Sequence, residues 1–374
     1  DLVAYFGQSL AFRIDLNARN NFLELADRTD SILNLARMIS YNPTRNIAAS
    51  GLLKIGTIIT TENVVDSNGL NLSGQAITWN DPSNVNWYDQ FIKILNAAFP
   101  TSQQFGNPAN SATIYSIPTE QYRFSSNISG VPTFAFTKLV SGTNMNFEIT
   151  STTFEGQNYI YEEPPKTGNS LACVYSNDGM GFGSQGTGFF FHFTQGILGQ
   201  GTFTINQPSS NESIDVNANN INDSDVWLYQ LDSNGNEQTL WTKVPNLIGN
   251  NIIYNSLNQN LETVYQVISR VGDQVSLQFG DGTFGSLPLG TFKTYYRVSN
   301  GLSYIINPQD IRSVSFTLPY TSHSGTAEQL SITLSLKTSV ANANTTESTN
   351  SIKTKAPQTY YTPVSYTHLR AHET

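Results

Sequence analysis

The sequence predicts an α+β fold that is mostly β, with an N-terminal helical pair followed by β-rich domains of antiparallel strands. Three observations carry that prediction. Apolar residues recur at intervals of four at the start of the chain and at intervals of two from Ser50 onward. The later apolar runs are short, rich in β-branched and aromatic residues, and separated by Gly, Asn and Ser. Charged residues make up 13% of the chain, about half the ~25% usual for soluble domains, and Asn, Ser and Thr take their place.

Leu2, Phe6, Leu10 and Ile14 share one face of a first helix, and Ile32, Leu35, Ala36 and Ile39 share one face of a second. Thr29 and Asp30 are placed to cap the second, and Asn42-Pro43 to stop it. The polar face carries Arg13, Asp15, Arg19, Asp27, Arg28 and Arg37, so the pair is amphipathic. It packs either against its own chain or against a partner, and Leu2, Phe6, Leu10 and Ile14 are the candidate partner-contact residues. The runs 53–59, 133–137, 188–193 and 201–205 then read as strands, with one helix expected from Trp87 to before Phe99-Pro100. A second β block is expected from the runs 226–229, 239–244, 263–269, 274–279 and 292–298.

These readings divide the chain into a helical segment over 1–48, a β-rich inserted domain over 49–212 with its helix near 87–98, a β core over 213–336, and a connector or truncated further domain over 337–363. The string 364–374 reads as the translation of a transposase-type sequencing adapter, so the chain is expected to be a fragment truncated at both ends.

A net charge of −9 with no basic stripe argues against nucleic acid as a partner. No apolar run of about 18 residues occurs, which predicts no membrane-spanning helix and no membrane partner. Cys173 alone cannot form an internal disulfide, which suits assembly in a bacterial cytoplasm. His192 and His323 stand outside the adapter string with no HExxH or CxxC spacing, so no metal or other cofactor is expected. His192, alternating with Phe190 along a strand, is expected to be half-buried.

Gly181-Phe182-Gly183-Ser184-Gln185-Gly186 matches GxGxxG, but it leads into the strand-like Phe189-Phe190-Phe191 and not into a helix, so it reads as a loop. Asp215, Asp223, Asp225 and Asp232 cluster in sequence and could serve acid–base chemistry only if a pair faced one cleft; solvated turn positions are the alternative. Phe279-Gly280-Asp281-Gly282, with Gly285, is a turn instruction between apolar strands, since glycine accepts positive φ and aspartate closes an Asx turn. One carboxylate there is too few for calcium.

Four stretches resemble the baseplate J-like proteins of contractile phage tails, within them the baseplate wedge subunit. They are Asp1–Tyr5 with Leu25–Arg28 and Leu35–Tyr41; Asn222–Tyr229 with Leu240–Val244; Val275–Gly285 with Tyr295–Gly301; and Lys355–Tyr361. The third is the most specific, being similar to a Phe-Gly-Asp-Gly signature followed by spaced Gly, Pro and Gly and then a Tyr-Arg pair. The resemblance covers the helical segment and about 210–363, and residues 60–200 match it loosely. It implies a structural virion protein of the tail baseplate, assembled in the host cytoplasm, that pairs with itself as a homodimer within a wedge and joins other wedge proteins. It also implies that Phe279, Gly280, Asp281, Gly282 and Gly285 form a fold-defining hairpin with no catalytic role. Two other readings are a tail-associated glycan binder or depolymerase, and a secreted adhesin.

Overall fold

A computed structural model of the chain describes residues 2–39, 41–114, 117–126, 128–156, 159–247, 262–283 and 285–360. The adapter string 364–374 lies outside the described residues. Mostly β structure with antiparallel sheets and a few helices is what the chain forms, and its amphipathic segments fold as their periods require.

Helix α1 (Leu2–Arg19) and helix α2 (Thr29–Met38) form the N-terminal pair. No side-chain cap closes the start of α2: Thr29 is already helical, Arg28 occupies the cap position, and Asp30 lies in the first turn, where a negative charge complements the helix dipole. Ala26, Ile32, Leu33 and Ala36 pack with Ile352 and Ala356 in a small core. Ile352 belongs to α4 (Thr349–Lys355), so the stretch expected as a connector folds back onto α2. Tyr41 Oη donates to both oxygens of Glu347 at 2.9 Å, which pins this return.

Strands β18 (Val314–Thr321), β19 (Ala327–Leu336), β1 (Ser50–Thr60), β10 (Gly188–Gln195), β9 (Ala172–Ser176), β4 (Ile117–Arg123) and β3 (Asn110–Ile114) run in that order through a ten-stranded sheet. Strands β2 (Ile77–Thr78), β5 (Phe134–Val140) and β6 (Thr143–Thr150) branch from it. A seven-stranded sheet has the order β11 (Ile197–Ile205), β17 (Gly290–Val298), β13 (Ile221–Leu231), β14 (Glu237–Val244), β15 (Val264–Ser269), β16 (Val275–Phe279), β12 (Ser213–Val216). Strands β7 (Thr152–Glu155) and β8 (Tyr159–Glu162) pair separately. One neighbour pair departs from the expected antiparallel pattern: β14 and β15 are parallel, with Thr242 opposite Val264.

The sheets do not divide at the boundaries expected from sequence. β11 belongs to the seven-stranded sheet, while β18 and β19, placed by sequence in the β core over 213–336, complete the ten-stranded one through β19–β1 pairing. The segment 197–298 is therefore the insertion, and the strands before and after it, apart from β7 and β8, form one sheet. Periodicity locates strands but carries no information about partners some 270 residues apart, such as Thr60 and Leu330.

Helix α3 (Trp87–Ala98) buries Phe91, Ile94, Leu95 and Ala98 in the main core with Phe189, Phe191 and Phe193 of β10. A second core forms around Trp241, Phe279 and Phe292, with ring centroids 5.4 to 5.7 Å apart. The other face of β10 is covered too. His192 is buried, not half-buried, because β7 lies over it: Thr152 Oγ1 accepts the His192 amide at 2.7 Å, and the Thr150 and Thr194 hydroxyls lie 3.3 and 3.4 Å from Nδ1.

Three sheets meet at Arg297 of β17. Its guanidinium is fully buried and holds Glu162 of β8 bidentately at 2.7 and 2.8 Å, Glu148 of β6 at 3.0 Å and Asp225 of β13 at 3.3 Å. Glu148 also accepts the Leu198 amide of β11 at 3.0 Å. Burial opposes it, but the Arg297 charge with Asn222 and Ser224 as donors keeps the Asp225 carboxyl below its ordinary value. Burial pushes Glu162 up, and Arg297 offsets this only in part.

Arg297→Met leaves three carboxylates buried around an apolar side chain, so a loss of about 3–5 kcal/mol is expected in urea unfolding. A loss under about 1 kcal/mol would mean that the carboxylates reach water or protons without it. A second prediction concerns acid. Burial, and then repulsion by Arg297 with Asp225 opposing, holds the His192 imidazole down at about 4, against 6.5 unperturbed. The unfolded chain therefore binds the proton first, and His192 removes stability progressively as pH falls from about 6.5 towards about 4. His192→Gln is expected to flatten the stability profile across that window. An unchanged slope would exclude the imidazole as its source.

Candidate functional site

The turn expected at 279–285 begins where β16 ends. Phe279 is fully buried in the second core, and its amide donates to Glu212 O at 2.9 Å. Gly280 follows so closely against Gly285 that a Cβ on it would lie 2.7 Å from the Gly285 Cα. Asp281 accepts the Thr283 amide at 2.8 Å, closing the Asx turn, and Gly282, with φ of 83°, donates to Gly285 O at 3.0 Å. The tight reversal expected at these residues is present, but it does not join two strands of a hairpin. Gly285 bridges in parallel to Glu262 just before β15, and β17 lies across the sheet from β16. The turn thus closes the β15–β16 end of the sheet, a placement set by strands distant in sequence.

Helix α1 has the opposite character. Every described residue along it is exposed except Ser9 and Leu16, which are half-buried. Leu10 is 52% and Ile14 61% exposed, and Tyr5 and Phe12 are exposed at 73% and 67%. The side chains of Leu2 and Phe6 lie outside the described residues. Among the described residues, none covers Leu10 or Ile14 enough to bury it.

The four aspartates of the sequence cluster go separate ways. Asp225 faces Arg297, Asp223 is 3.4 Å from Arg45, Asp215 accepts from Ser276 and pairs with Arg270 at 3.3 Å, and Asp232 closes its own turn on the amides of Asn234 and Asn236. His323 contacts the Phe99 carbonyl at 2.7 Å. Among the described residues, no group of three or more His, Cys, Asp or Glu side chains is placed to hold a metal ion.

Sequence reasoning missed Arg297 as an organising residue. The available signal was a charged residue in the apolar run Tyr295-Tyr296-Arg297-Val298. The same signal marks Lys54 between Leu53 and Ile55 in β1.

Residues 51–339 match the model of a protein family described as a domain of unknown function, DUF8360. The chain belongs to that family. The DUF8360 match opens in β1 and closes just past β19, which pair with each other, so it spans the ten-stranded sheet and the seven-stranded sheet inserted into it. Helices α1, α2 and α4 lie outside it. No curated protein matches the chain.

Because the neighbour of Gly280 is backbone, it cannot give way to a new methyl group. Gly280→Ala is expected to cost about 1–3 kcal/mol, and Gly282→Ala about 1 kcal/mol for its positive φ. Chemical denaturation measures both. Equal stability of wild type and Gly280→Ala would rule out the close approach.

Proposed function

We propose that this chain is a structural component of a contractile-tail baseplate wedge, acting in assembly and inter-wedge linkage through protein–protein interfaces. The observation that carries the reading is α1, a helix about 27 Å long at 1.5 Å per residue that exposes Tyr5, Leu10, Phe12 and Ile14 beside a β body with its own cores. Apolar side chains of that number on one exposed helix are a usual mark of a partner interface. The resemblance of 275–285 and 295–301 to the wedge-subunit signature supports the same reading. In it, the β sheets set the spacing between subunits, and α1 buries its apolar surface against a second copy or another wedge protein.

The test is incorporation into tails. In a phage carrying the gene, mass spectrometry of purified particles should find the protein, and antibody labelling should place it at the baseplate end. A Leu10→Ser, Phe12→Ser, Ile14→Ser variant should unfold at the same denaturant concentration as wild type and yet fail to incorporate. Absence of the wild-type protein from purified particles would refute the proposal.

A further inference from the structure

The glycine loop 181–186 does not start a helix, yet it closes over a charge. Lys54 projects from the outer face of β1 and is only 5% exposed. Its stem passes so close over Gly188 that a Cβ there would lie 2.7 Å from the Lys54 Cε. An ammonium group has three hydrogens to place. The Ser184 carbonyl accepts one at 2.7 Å, and the Trp79 ring lies 5.6 Å away. Among the described residues, no carboxylate forms an ion pair with it. Asp178 acts on it through space, but its oxygens are already taken up by the Ser184 and Thr187 hydroxyls and the Met180 amide.

Lys54 and Lys337 line one cleft of about 330 Å³ together with Thr78, Trp79, Asn80 and Phe182. Two like charges share this space on a protein of net charge −9. Burial first, and then Lys337, lowers the Lys54 ammonium to about 8, with Asp178 opposing. The walls do not depend on an occupant. Trp79 Nε1 donates to Phe182 O at 3.0 Å, and Asp178 anchors the far side of the loop, where a Cβ on Gly186 would come within 2.6 Å of its Oδ2. The third glycine of the motif is there for this approach, with no nucleotide needed to explain it.

We propose that a phosphate-type oxyanion, free or as a monoester, binds in this cleft between Lys54 and Lys337. A buried cation without a counter-ion is unfavourable, and an anion between two ammonium groups converts their repulsion into two attractions. A tetrahedral oxyanion also has enough acceptor oxygens for the remaining lysine hydrogens and for the polar side chains of the wall, more than a carboxylate has.

The experiment follows the thermal unfolding midpoint of the full chain with increasing inorganic phosphate at constant ionic strength, with glycerol phosphate as the monoester and acetate and chloride as controls. Phosphate should raise the midpoint in a saturable way that acetate and chloride do not reproduce, and should slow acylation of Lys54 as read by mass spectrometry. A larger effect of glycerol phosphate would mark the monoester as the preferred form. Lys54→Met should fold, unfold no earlier than wild type without phosphate, and lose the phosphate shift. Lys337→Ala should weaken phosphate binding by roughly tenfold, the usual scale for one charge-assisted contact. If Lys54→Met does not fold, Lys337→Ala and the protection of Lys54 in the wild type decide the matter. Equal phosphate shifts in wild type and Lys337→Ala, or no shift and no protection in wild type, would overturn the proposal.

Discussion

The buried guanidinium of Arg297 is the constraint on which the arrangement of the sheets depends. Desolvating one cation is costly, and it is tolerable only if carboxylates and hydrogen-bond acceptors surround it. Glu148, Glu162 and Asp225 supply these from strands of three different sheets. Each engages the same guanidinium, so the ten-stranded sheet, the β7–β8 pair and the inserted sheet are held in one relative placement. A hydrophobic contact could bind the same surfaces but would tolerate sliding, whereas a bidentate pair with fixed donor geometry does not. His192 is drawn into the same electrostatic environment. Its imidazole is held neutral by burial and by the charge that organises the junction.

Lys54 is the counterpart of Arg297. Both are cations in the middle of apolar strand segments, and both are nearly removed from water. Arg297 has an excess of carboxylates, while Lys54 has a carbonyl and an aromatic ring. The difference is one of location. Arg297 sits between sheets, where neighbouring strands can bring acids to it. Lys54 lies on an outer face under a loop whose one acid is occupied elsewhere. Among the described residues, Lys54 has no ion-pair carboxylate, and its ammonium group lines a cleft.

The family match spans 51–339, the two large sheets with α3, and leaves α1, α2 and α4 outside. The helices nevertheless bind to that unit: Arg37 of α2 donates to Ser269 O, and α4 packs on α2. Helix α1 exposes Tyr5, Leu10, Phe12 and Ile14.

The sequence by itself determined the element types, because helix and strand periods are local and survive any tertiary arrangement. It placed the two N-terminal helices, the helix at 87–98, most strands, and the reversal at Gly280-Asp281-Gly282, whose backbone only small residues permit. It could not show that β19 returns to β1, that 197–298 is the insertion, or that the reversal closes a sheet end without forming a hairpin. Pairing between strands is decided by which buried faces match, and that matching acts between residues hundreds of positions apart. Arg297 and Lys54 were visible as charges in apolar runs, but only the tertiary structure decided that one would be surrounded by acids and the other left facing a cleft, because desolvation and counter-charge depend on the neighbours that the fold brings together.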